Sequence, residues 1–422
     1  MKITEYPQLR EQICRRTLPC GLELAVVPRP GFTRKLAYFV TDYGSIHTEF
    51  ELNGGKYAAP AGVAHFLEHK MFDLPGRDVS AEFAALGANV NAFTSYDMTA
   101  YYFTCTENFE ENLRLLLEFV STPYFTAESV EKEMGIIDQE IGMNADSPDT
   151  RVFENLMKVM YENHPIRVPI LGTSETIRQI TDSTLHQCHR AFYTPANMIL
   201  CVVGDVDPER TAGIANEILG TERRPAGQKL PCREEAMTVQ KLLIRQRMEI
   251  AMPAFQLGFK CEPLGKGAAS IRREIIADLA AEALFGESSE LYLRLYEEGL
   301  IDSSFGGGFE TIDGCAMLTC GGDSDHPEAV RDAILAQGKK LAAEGIDEGS
   351  FQRMKRSAMG RRVRDLDSFD STCFRVCAYQ LSDFDYFLFP EVYAGIGAGD
   401  IREFLADVVR EERCALSIIE PL

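Results

Sequence analysis

The stretch that most constrains this chain is Ala64-His65-Phe66-Leu67-Glu68-His69-Lys70, where two of the seven histidines stand four residues apart with a carboxylate between them. On an α-helix, residues i and i+4 share a face, so both imidazoles can reach one metal ion while Glu68 projects beside it. Two imidazoles and a neighbouring base are the makings of a hydrolytic zinc site. The spacing His-x-x-Glu-His is the inverse of the commoner His-Glu-x-x-His. At this composition, chance produces it on the order of 0.02 times per chain, so coincidence is a weak rival.

The rest of the chain must build a frame for that helix. At 422 residues it is too long for one ordinary core and reads as two domains. No run approaches the roughly 18 apolar residues of a membrane span, and Met1 to Arg16 has no signal-type apolar region, so a cytoplasmic protein without a membrane partner is expected. With 43 basic and 64 acidic residues, the net charge of −21 repels nucleic acid and anionic membranes. The 12 cysteines form no Cys-x-x-Cys pair and are expected to be reduced, small core residues.

In order along the chain, Gly21–Val27 and Leu36–Tyr43 read as strands joined by the turn Pro28-Arg29-Pro30-Gly31, a meander. Breakers from Asn53 to Gly62 precede the histidine helix, which begins at Val63. Val79–Leu86 is a short helix, and Asn89–Thr106 alternates like a hairpin whose first strand is Asn91-Ala92-Phe93-Thr94. Phe109–Val120 is an amphipathic helix. The next, capped by Thr126 with Ser129 in place of the preferred Glu or Gln, runs to about Met143. On it Glu133 and Glu140 are two turns apart and share a face, which either meets the histidines or is simply a solvated acidic face. Spacing does not choose between them. Val152–Tyr161 and Ile177–Phe192 are further helices, and Met198–Gly204 is a buried strand. His186 and His189 read as surface or helix-end residues, and His47, His164 and His326 stand alone.

Between Thr221 and Thr238 the periodicity fails and Arg, Pro and Gly accumulate, which places a linker at 221–238 between domains 1–220 and 239–422. The second half repeats the order of the first: a strand near Ala254–Lys260, a helix from about Ile271 to Leu284, and strands from Phe305 to Cys320. Thr104-Cys105 corresponds to Thr319-Cys320, and counting down the second long helix sets Met354 and Arg361 opposite Glu133 and Glu140. The second half has no His-x-x-Glu-His. The expected fold is therefore α+β, two similar domains that are each a mostly antiparallel sheet packed with helices, one carrying chemistry and the other shape. Gly306-Gly307-Gly308 lacks a phosphate-loop ending and reads as a turn or strand cluster.

Several segments together resemble the pitrilysin and insulinase family of zinc metallopeptidases, and within it the half-length bacterial members related to mitochondrial processing peptidase. They are His65-Phe66-Leu67-Glu68-His69, Asn91-Ala92-Phe93-Thr94-Ser95 with Tyr101-Tyr102-Phe103, and Val130 to Glu140. The loop from His164-Pro165 to Leu171-Gly172-Thr173 and the run from Tyr193-Thr194-Pro195 into Val203-Gly204-Asp205 belong with them. The resemblance implies that His65, His69 and Glu140 bind zinc, that Glu133 supports the site without binding metal, and that Glu68 is the general base. It implies that peptide substrate docks on the strand Asn91, Ala92, Phe93 and Thr94. It also implies an Arg followed seven residues later by a Tyr in the second half. Here Arg294 is present, but the later position is Ile301, and Tyr296 is too close to replace it. A second, zinc-free family member would then supply the pair in a heterodimeric clamshell.

Two functions compete. One is a zinc endopeptidase for short or unfolded peptides. The other is a structural or binding subunit that keeps the fold for assembly. A scaffold need not retain His65, Glu68 and His69 together, so the expectation is the enzyme.

Overall fold

The computed structural model describes all residues, 1–422. The first half supplies β1 (Lys2–Tyr6), β2 (Glu11–Thr17), β3 (Glu23–Pro28), β4 (Lys35–Thr41), β5 (Ala88–Thr94), β6 (Thr99–Cys105) and β7 (Met198–Gly204) to one sheet, ordered β1-β2-β3-β7-β4-β6-β5. The second supplies β8 (Leu243–Met248), β9 (Ala254–Cys261), β10 (Gly306–Ile312), β11 (Cys315–Asp323) and β12 (Cys414–Pro421), ordered β8-β12-β9-β11-β10. β7 runs parallel to β3 and antiparallel to β4, just as β12 runs parallel to β8 and antiparallel to β9. With β1 and β2 set aside, the two sheets have one topology.

The expected meander is corrected by this order. β3 and β4 are not neighbours, because β7 lies between them and pairs with both. Leu24, Val26, Ala37, Phe39, Leu200 and Val202 face one core, while Ala25, Val27, Leu36, Tyr38, Cys201 and Val203 face the other. Strands buried on both faces read as unbroken apolar runs and sit centrally in a sheet, whatever turn follows them locally.

The helices of the first half include α1 (Val63–Met71), α2 (Phe109–Ser121), α3 (Ala127–Ala145) and α4 (Pro148–Met160). Those of the second include α5 (Ala268–Phe285), α6 (Glu290–Glu297), α7 (Pro327–Glu344), α8 (Glu348–Asp365) and α9 (Phe369–Leu381). Most expected helices hold within a few residues. α4 starts earlier than expected because Ser147 caps it ahead of Pro148. The expected helix 177–192 is two pieces, Ser174–Ile177 and Asp182–Phe192, because the Thr181 side chain accepts the Thr184 N–H and starts a new helix. Ser129 closes the capping box with Thr126 despite being neither Glu nor Gln.

The halves exchange a helix. α4 lies on β9 and β12 of the second sheet, and its duplicate α9 lies on β7 and β4 of the first. Leu156, Met157 and Met160 pack with Met317 and Ala415, while Cys373, Val376 and Cys377 pack with Cys201 and Val203. The connecting segment is also tied down: Gln228–Lys229 pairs with Phe50 and Glu51, and Glu235 accepts the His164 N–H at 2.7 Å and Lys260 at 3.2 Å. All cysteines are unpaired, and all are buried except Cys232, which is exposed against expectation.

Candidate metal centre

α1 is sunk in the first core. Val63, Ala64, Phe66, Leu67 and Met71 are buried, so the only direction left for His65, Glu68 and His69 is towards α3 and β5. Its start is fixed by Gly62 at φ 93°, in the left-handed region, with the Leu171 carbonyl pressed against it. Lys70, almost fully buried, bonds Asp73 and reaches the Ser129 carbonyl at 3.4 Å, pinning α1 to the start of α3.

α3 then brings its carboxylates onto the imidazoles. His65 Nε2 is 3.7 Å from Glu140 Oε1, and His69 Nε2 is 3.7 Å from Glu140 Oε2. These separations are too long for hydrogen bonds. They suit ligands sharing one tetrahedral ion, since zinc bonds of about 2.0–2.1 Å place neighbouring donors roughly 3.3 Å apart. One donor atom from each of His65, His69 and Glu140 lies within 4.8 Å of the others. Two imidazoles and one carboxylate are a donor set that zinc accepts, with a position left open.

Glu133 does something different. Its Oε1 lies 3.0 Å from His69 Nδ1, so Nδ1–H donates to the carboxylate and the Nε2 lone pair faces inward. That hydrogen bond raises the His69 pKa above the usual value, whereas burial and the neighbouring His69 push His65 down to about 3 and keep it neutral. Glu133 thus orients a ring, and Glu140 faces both. The shared face of α3 meets the histidines rather than solvent alone.

Glu68 is buried and stands outside the three-donor set. Burial raises its pKa, and its Oε2 accepts the Thr94 hydroxyl at 2.6 Å. Thr94 ends β5, the outermost strand of the first sheet, which pairs only with β6. A free strand edge therefore runs up to the carboxylate. Along it Asn91 is exposed, Ala92 is half-buried, and Phe93 turns towards Tyr38 and Phe374.

The second half holds the same arrangement with its charges inverted. The N-caps of α3 and α8, Thr126 and Asp347, are 221 residues apart, which sets Met354 and Arg361 opposite Glu133 and Glu140 as expected. α5 packs on β10, β11 and α8 as α1 packs on β5, β6 and α3. It carries Glu274, Asp278 and Glu282 at helical spacing where α1 carries imidazoles. Arg361 pairs with Glu282 at 2.7 Å, and Arg362 with Asp278 at 2.7 Å. Ion pairs within the protein fill the place of a cation.

Arg294 shares no hydrogen bond or ion pair with the residues of the centre. It is exposed on α6, which packs on α5 and α7, and its side chain makes no hydrogen bond or ion pair. Ile301 is in the core, at 5% exposure. His189 is buried rather than at the surface, its Nε2 3.1 Å from the Val120 carbonyl. His47 and His164 do not stand alone: both meet Asp313, at 3.6 Å and 2.9 Å. The Thr94 contact was missed in the sequence because a hydroxyl in a strand carries no signal of its partner.

Two family models match the chain: "Insulinase (Peptidase family M16)" over residues 44–174, which contain the centre, and "Peptidase M16 inactive domain" over 179–358. The uncharacterized zinc protease YmfH of Bacillus subtilis (strain 168) is 36% identical over 100% of this chain and 99% of its own length. The chain belongs to peptidase family M16. The uncharacterized zinc protease YmxG of the same organism is 26% identical over 90% of this chain and 91% of its own length. The crystal structure of a putative M16-like peptidase from Alicyclobacillus acidocaldarius superposes with a TM-score of 0.95, at 33% identity, over 99% of this chain and 100% of that one. This M16 chain has the family's two-domain α+β fold, and both Bacillus subtilis relatives are named as zinc proteases. No helix is long and apolar enough to cross a membrane.

Proposed function

We propose that this chain is a zinc-dependent endopeptidase that hydrolyses short or unfolded peptides. The observation that carries the reading is Glu68: a buried carboxylate outside the donor set, bonded at 2.6 Å to the last residue of a free strand edge. His65, His69 and Glu140 hold the metal. Bound zinc supplies Lewis acidity, polarising a carbonyl and making water more acidic. Glu68, with its raised pKa, takes the proton of the attacking water and returns it to the leaving amine. Glu133 keeps the His69 ring in its tautomer. β5 aligns an extended peptide by main-chain pairing, which favours unfolded substrates and reads few side chains.

We assign residues 1–220 to the catalytic domain, 221–238 to the connection and 239–422 to the non-catalytic copy. Twelve unpaired thiols suit a reducing cytoplasm. With Ile301 in the core and Arg294 on α6 of the second half, we place a second, zinc-free family member across the chamber, supplying the Arg and Tyr that this chain does not present.

The test is cleavage of a pool of quenched peptides by the zinc-loaded chain, with and without a zinc-free family member, against Glu68→Gln. The expected result is cleavage that rises when the partner is added and falls about a thousandfold in Glu68→Gln at unchanged zinc content. Cleavage retained by Glu68→Gln would overturn the role of the base. Full activity of the chain alone, unchanged by a partner, would overturn the heterodimer.

A further inference from the structure

A cavity of about 670 Å³ opens beside the metal centre, between the C-terminal end of α3, α4 and the 167–173 loop. Three of its residues join it to the centre. Ile141 follows Glu140, Gly172 lies against Ala61 at the entry to α1, and Tyr96 comes two residues after Thr94. The end of β5 at Thr94 and the cavity wall at Tyr96 are thus two residues apart.

Its walls are apolar, with Ile141, Phe153, Ile170 and Leu171 prominent, but its charge is the reverse of the molecule's. In a chain of net charge −21, the cavity gathers Arg151, Lys158 and Arg167 against a single carboxylate, Glu154. Glu154 is committed to Arg151 at 2.7 Å and only grazes Lys158 at 4.0 Å. Arg167 donates to the Glu162 carbonyl at 2.6 Å and makes no ion pair, and Arg151 Nε is buried without an acceptor. Burial first, and then the nearby Arg151, hold the Lys158 pKa below its usual range.

We propose that this cavity is a specificity subsite for a carboxylate of the bound peptide, held by Lys158 and Arg167, with its hydrocarbon stem against Phe153 and Ile141. The carboxylate is that of an Asp or Glu side chain or of the peptide C-terminus. With Glu154 committed to Arg151, charge-assisted bonds from these two cations select it over the neutral amide. The subsite rests on the peptidase reading, but binding and cleavage test the two separately.

Binding is measured by fluorescence anisotropy on the full chain carrying Glu68→Gln. The peptides are a neutral, amidated parent, a series with Glu in place of Gln at each position, and the parent with a free C-terminus. The subsite predicts that one Glu position or the free C-terminus binds about tenfold tighter than its neutral counterpart. Which arm responds identifies the source of the carboxylate. The advantage should fall below about twofold in Lys158→Met with Arg167→Met, and survive in Lys158→Arg. Lack of acid preference at every position, or a preference untouched by the double change, overturns the subsite. Acid-selective binding without cleavage by the zinc-loaded, Glu68-intact chain even when a zinc-free family member is added would sink the peptidase reading and leave the subsite standing. Cleavage without acid preference would do the reverse.

Discussion

At the scale of single residues, the proposed centre gives two glutamates on one helix face different neighbours. Glu140 stands 3.7 Å from both Nε2 atoms, and Glu133 stands 3.0 Å from His69 Nδ1. Seven-residue spacing makes them equivalent on α3, and only the depth at which α1 lies across that helix separates them. Removing the charge of an outer-shell partner of a ligating histidine weakens metal binding about 10- to 100-fold. Glu133→Gln is therefore expected to raise the zinc dissociation constant by that factor in a chelator competition, with the fold retained. Unchanged affinity would show that the His69 tautomer needs no carboxylate. His65, Glu68 and His69 were legible in the sequence because one turn of helix contains them. The Thr94 hydroxyl on Glu68 was not, since their contact crosses from β5 to α1.

At the scale of elements, helix starts decide where the chemistry points. Gly62 holds φ at 93°, and a Cβ there would sit 2.4 Å from the Leu171 carbonyl oxygen, inside any tolerable contact. Gly62→Ala should cost about 2 kcal/mol or more of stability, from backbone strain together with the clash. It should also weaken zinc binding, because the first turn of α1 carries His65. Thermal melts and the same chelator competition read both effects. Gly213→Ala is the control: Gly213 lies inside the helix Pro208–Leu219 with nothing within 4 Å of its Cβ position, so a gain of up to about 1 kcal/mol is expected. Equal melting of the two variants would remove the account of Gly62. Elements with strong periodicity, such as α2 and β7, were readable from sequence to within a residue or two. The break at Thr181 and the early start at Pro148 were not, because a cap acts through one side-chain bond rather than a period.

At the scale of the whole molecule, the exchange of α4 and α9 makes each half part of the other's core. A fragment ending at residue 238 would lose α9 and bare the face of β7 and β4 that carries Cys201, Val203 and Leu36. Fragments 1–238 and 239–422 are thus expected to be insoluble or molten when made separately and to recover a folded, zinc-binding complex when co-expressed. Size-exclusion chromatography and zinc content test this. A well-folded, zinc-binding 1–238 monomer would show the exchange to be dispensable. The duplication explains why the second half needs no metal: Arg361 and Arg362 meet Glu282 and Asp278 where the first half has imidazoles facing carboxylates. By itself the sequence determined what is encoded locally: the His-x-x-Glu-His helix, the period of most helices and strands, and the repeated order of elements. Tertiary structure alone decided that β7 would part β3 from β4, that Glu140 rather than Glu133 would face both imidazoles, and that cations would gather at the 670 Å³ cavity. The reason is physical. Periodicity and caps are set by neighbours along the chain, whereas partners across a sheet or between two helices are chosen by the burial of surfaces far apart in it.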